Sequence, residues 1–147
     1  MIAQEFKTDM FAPSMGRKIE REDEMDITHL PYMNWIEWMN NLSQFRYAVH
    51  LMPTHAAGTF ALNCAYHGIP CIGYEGLDTQ ALCHPQLTIK MNDLKHARKL
   101  ANKLKTESEW YDLQSATAKR NFNIFFGEKE YIYKMNEIIK KVTNEGN

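Results

Sequence analysis

The sequence has little of what marks several common protein classes. Among its 147 residues there are only three cysteines, Cys64, Cys71 and Cys83. An odd number without a CxxC pair excludes a disulfide framework and a structural zinc site, and predicts reduced, buried thiols in a cytoplasmic protein. There is no excess of either charge, since 17 basic residues face 18 acidic ones for a formal net charge of -1. That balance leaves no global footprint for nucleic acid or for an anionic membrane. Apolar runs near the roughly 18 residues of a transmembrane span are missing. The opening "MIAQEFKTDMF" carries acids where a signal peptide needs an apolar core. Walker and GxGxxG loops are absent too, as are internal repeats and low-complexity segments.

What is there suffices for one core. The chain is 44% hydrophobic and 12% aromatic, enough for one domain and too short for two comfortable ones. Residues 1–26 read as an N-terminal arm or a partial first βα unit, with a weakly strand-like start, an "APSMG" break and the charged run Arg17 to Asp26. The run reads as a solvated loop or helix face. Residues 27–147 read as a Rossmann-like domain closed by C-terminal helices.

Within it, "ITHL" is a short strand. Asn34 and Glu37 supply the N-cap and capping partner of a helix carrying Trp35, Trp38, Met39 and Leu42. "YAVHLM" (Tyr47 to Met52) is almost continuously apolar, as in a strand covered on both faces, with His50 expected as a hydrogen-bonded core histidine. Met33, Met39 and Met52 are expected to fill core gaps. A helix from about Ala56 to His67 ends at Gly68. The strand "IPCIGY", a short helix capped by Asp78, the strand "LTI" (Leu87 to Ile89) and a helix opened by Asp93 follow. Thr106 and Glu109 read as a capping box for the next helix, ending at Gly127. A last helix sets Tyr131, Met135, Ile138 and Val142 on one stripe. Strands alternating with helices predict an α/β class, doubly wound, with a parallel sheet and helices on both faces.

Ligands of such sheets bind beyond the carboxyl ends of the strands, where "MPTHAAGTF" lies. Unpaired N–H groups at a helix N-terminus favour an anion, and Ala56, Ala57 and Gly58 would let a pyrophosphate approach them. A helix end packed under a neighbouring loop selects the same small residues, so both readings stand. "CHP" (Cys83 to Pro85) has no second ligand at metal spacing nearby. No Ser-His-Asp order or paired catalytic carboxylates can be read, and no metal is expected.

The segment "YAVHLMPTHAAGTFALNCAYHGIPCIGY" resembles the donor-binding region of the C-terminal domain of retaining glycosyltransferases with the GT-B fold. In that family a strand ends in a proline-containing turn, followed by a glutamate, a glycine-bearing loop, a second glutamate eight positions on, and "A…G.P.I". Here His55 stands at the first glutamate and Asn63 at the second, with Gly58 on a loop glycine. The likeness extends in weaker form over residues 27 to 143.

It implies a nucleotide-sugar donor as substrate, no cofactor and no metal. Thr54, Ala57, Gly58 and Thr59 would lie by the diphosphate, Asn63 by the ribose, and His55 in the catalytic position, where it can donate to a phosphate oxygen or a sugar hydroxyl. A neutral Asn63 would hold a ribose more weakly than a glutamate. The enzymes of this family have two Rossmann-like domains, and this chain has room for part of one. Transfer would thus need an N-terminal acceptor domain, a partner chain or a homo-oligomer, and the lone chain is expected to bind more readily than to turn over. The alternatives are a non-catalytic α/β interaction module and a fragment of a sugar-nucleotide epimerase.

Overall fold

A computed structural model describes residues 2–13, 25–52 and 59–145. The part of the charged run before residue 25 lies outside them. The elements are a 3-10 turn at Ile2–Phe6, β1 (Met10–Pro13), β2 (Ile27–Leu30), α1 (Trp35–Leu42), β3 (Ala48–His50), α2 (Thr59–His67), β4 (Cys71–Tyr74), α3 (Asp78–Cys83), a 3-10 turn at Pro85–Leu87, β5 (Thr88–Ile89), α4 (Leu94–Thr106), α5 (Ser108–Phe125) and α6 (Glu128–Glu145). The fold is mixed α/β with small parallel sheets.

Alternation in the sequence predicts one sheet, and the described residues form two. β1 pairs with β2 in parallel, Met10 opposite Ile27 through Pro13 opposite Leu30. The second sheet runs β3-β4-β5, again parallel, with Val49 opposite Ile72 and Tyr74 opposite Ile89. Strand side chains alternate between faces, and β4 uses both. Ile72 and Tyr74 pack on Ala97, Leu100, Ala101 and Leu104 of α4. On the opposite face, Cys71 packs with Leu42 of α1 and with Ala61 and Cys64 of α2. Residues of the expected N-terminal arm belong to the first of these cores, since Ile2 and Phe6 are buried in it and Phe6 stacks on Tyr47 at 4.3 Å between ring centroids.

Local signals explain several element ends. The Asn34 side chain accepts from the Glu37 N–H at 3.0 Å and the Glu37 carboxylate accepts from the Asn34 N–H at 2.9 Å, a reciprocal cap for α1. Asp93 caps α4 by accepting from the His96 N–H at 3.0 Å. α2 stops at Gly68, whose φ of +71° suits glycine. The Ser115 hydroxyl of α5 donates to its carbonyl at 2.6 Å.

Other expectations need correction. Asp78 is the first residue of α3 rather than its cap, the cap position being Leu77 without a side-chain bond. Thr106 still belongs to α4 and donates its hydroxyl to the Asn102 carbonyl at 2.9 Å, so it is not free to cap α5. Leu87 lies in a 3-10 turn instead of β5. Met52 and Trp35 are exposed rather than inside. On α6 the whole stripe Tyr131, Met135, Ile138, Val142 faces outward, with Ile132 and Ile139 beside it. Among the described residues no helix is long and apolar enough to cross a membrane.

Candidate functional site

Of the residues singled out in the sequence, Thr54, His55, Ala57 and Gly58 lie outside the described residues, as does Ala56. Thr59 and Asn63 are described, and both belong to α2. Thr59 is exposed on the first turn. Asn63, one turn further, is only 7% exposed. With its oxygen toward the Trp38 indole N–H at 3.2 Å and its nitrogen toward the Thr59 carbonyl at 3.0 Å, both ends of the amide are satisfied. The bond ties α2 to α1, and a ribose hydroxyl would have to take the place of the indole to reach the oxygen. Asn63→Ala leaves the indole N–H without this acceptor and should cost about 1–3 kcal/mol of stability, measured by urea denaturation.

The strand that leads into the turn contributes His50. Its ring lies against Phe60 of α2 at 5.4 Å. Burial lowers its pKa from the ordinary value, which favours the neutral ring. Nδ1 has no hydrogen-bond partner among the described residues, so the expected hydrogen-bonded core histidine holds only as to partial burial. A neutral imidazole at the carboxyl end of β3 keeps hydrogen-bonding capacity that the described residues do not use.

His84 carried no functional signal in the sequence beyond "CHP", yet it is the most perturbed histidine described. It is 2% exposed, and its Nε2 sits 3.0 Å from the Ala61 carbonyl. That contact assigns the proton to Nε2, leaving Nδ1 as an acceptor without a partner among the described residues. Loss of solvation lowers its pKa to about 4, against a smaller raising effect of the Ala61 carbonyl. Burial pushes the neighbouring Cys83 thiol up to about 11. A neutral imidazole and protonated thiols, enclosed within the fold, act as packing and bonding groups, not as nucleophile and base. Among the described residues no group of His, Cys, Asp and Glu is placed to hold a metal ion.

The polar interior here has a structural purpose. The Asn121 amide of α5 donates to the Leu82 carbonyl at 2.8 Å, and the Gln114 amide donates to the Gln86 side chain at 2.9 Å. These bonds fasten α5 to α3 and to the turn before β5.

A cleft of about 630 Å³ opens between β1 and β3, with Trp38 and Phe60 in its lining. It lies on the side of β3 away from β4 and touches the first turn of α2. No protein-family model, curated protein or solved structure matches the chain. Function has to be argued from its own residues.

Proposed function

We propose that the chain is a Rossmann-like, nucleotide-sugar-binding domain of a glycosyltransferase of GT-B type. The carrying observation is topological. β3 has β4 on one side and the β1–β2 pair across the cleft on the other, so its carboxyl end lies where the strand order changes direction. Crevices of parallel sheets at such points take phosphorylated ligands. In this reading the backbone amides of Gly58 and Thr59 face the donor diphosphate, and Ala57 keeps the approach open. Thr54 and His55 contact phosphate or sugar hydroxyls, and Asn63 faces the ribose or holds the wall through Trp38. Transfer belongs to the form completed by an acceptor-binding domain, where fixed dipoles would stabilise the departing diphosphate. No metal takes part.

Titration of the labelled chain with nucleoside diphosphates and nucleotide sugars tests this by NMR and calorimetry. Shift changes should concentrate on residues 54 to 63, and Gly58→Trp should weaken binding at least roughly tenfold, or about 1.4 kcal/mol. No binding of any of them at millimolar concentration removes the proposal. A second reading, the α/β interaction module, draws on the outward apolar stripe of α6 and on Tyr32, 88% exposed, near Trp35 and Ile36 on the entry to α1.

A further inference from the structure

The cleft beside β3 separates two strands that each use one edge. β1 pairs only with β2 and β3 only with β4 among the described residues. Their remaining edges face the same space, whose lining includes every residue of β1, Met10 to Pro13, together with Ala48 and Val49 of β3. In a parallel ladder the N–H and C=O of one residue point to the same side, and successive residues alternate. The Ala48 N–H donates to the Pro70 carbonyl at 3.0 Å, on the β4 side, so the backbone groups of Val49 point into the cleft. Unpaired strand edges facing each other are a template for a strand.

We propose that this cleft receives an extended peptide strand from another polypeptide, which hydrogen-bonds to β1 and β3 at once and joins the two sheets into one. A strand sits about 4.8 Å from each neighbour, and backbone pairing supplies affinity whatever the side chains. The side chains it needs follow from the walls. On one side Phe6 belongs to the buried core with Tyr47 packed on it, and on the other Trp38, Phe45 and Phe60 pack against the second core. Both faces of the incoming strand thus meet apolar or aromatic groups, with Thr8, Asp9, Asn41, Gln44 and Arg46 also in the lining, so its central residues are apolar in succession, Val- and Ile-rich, and its flanks carry polar groups. The volume of about 630 Å³ would also suit a small molecule. Backbone groups on two opposed edges favour a strand, because a compact ligand does not pair with both at strand spacing.

The test uses the full chain and three blocked peptides. The first has four consecutive Val and Ile residues between pairs of lysines. In the second, alternate amides of that stretch are N-methylated, and in the third Ser replaces Val and Ile. The first should bind and slow hydrogen exchange of the Val49 amide and of the β1 amides that face the cleft by at least tenfold. The second and third should bind at least tenfold more weakly. Equal binding of the N-methylated peptide shows a side-chain pocket and overturns the proposal, as does an absence of binding by the first peptide at millimolar concentration. Binding without slowed exchange at Val49 overturns it as well.

Discussion

Replacing Gly73 by Ala should lower the stability of the chain by about 2–3 kcal/mol, near the upper end of what single substitutions do. Gly73 is in the middle sheet strand, opposite His50 on one side and Thr88 on the other. A Cβ there would stand 2.4 Å from Gln80 Oε1 and 2.6 Å from its Cδ. A long side chain can usually swing away, but Gln80 is 1% exposed. Its amide donates to the Cys71 carbonyl at 2.9 Å. It also reaches the Leu87 carbonyl at 3.5 Å. Moving it breaks these bonds inside a packed layer and leaves the Cys71 carbonyl without a donor it now has. Shortening Gln80 to Ala should therefore rescue part of the loss, with a coupling of about 1 kcal/mol or more in a double-mutant cycle read by urea midpoints. A Gly73→Ala cost below about 0.5 kcal/mol would show that Gln80 leaves freely.

Stability should also fall as pH drops from 6.5 toward 4, with His84 as the main histidine cause. Its pKa moves from 6.5 in the unfolded chain to about 4 in the fold because burial disfavours the charged ring. Above pH 6.5 both states hold a neutral ring, and the group adds no pH dependence. Between the two values the unfolded chain binds a proton that the folded chain refuses, so protonation favours unfolding. The full contribution is about 3 kcal/mol, reached near pH 4. His50, also lowered by burial, acts with the same sign. Carboxylates add their own slope, so the informative quantity is the difference between the parent and His84→Gln. Glutamine keeps a donor for the Ala61 carbonyl and does not titrate. Urea midpoints from pH 7.5 to 4.5 should fall less steeply for the variant. Parallel curves would remove His84 as the cause.

These two residues also show where sequence reading succeeds and stops. Signals complete within four residues were legible. The Asn34–Glu37 pair and Asp93 cap their helices, and Gly68 ends α2 in the left-handed conformation. The buried, unpaired state of all three cysteines was also legible. Where two such signals competed, the preceding helix won. Thr106 was taken into α4 by its bond to Asn102, and α5 begins without a side-chain cap.

Features made by distant segments left no local mark. The clash at Gly73 needs Gln80 folded back over β4. The perturbation of His84 needs burial by surrounding segments, and its one bonding partner, the Ala61 carbonyl, stands 23 residues earlier in the chain. The gap between β1 and β3 depends on strand pairing, which the alternation of strands and helices does not specify. At the candidate site, the strand before the turn and the helix after it were legible. The inward bonding of Asn63 was not, because its partner Trp38 sits on another helix.

The first turn of the chain, Ile2 to Phe6, finds its place against α4. Translation makes those residues about ninety positions before their α4 partners, so on the ribosome Ile2 and Phe6 lack that cover until Leu104 is produced. Closure of that contact sets a late, long-range step in maturation. During this interval the apolar turn offers chaperones a handle.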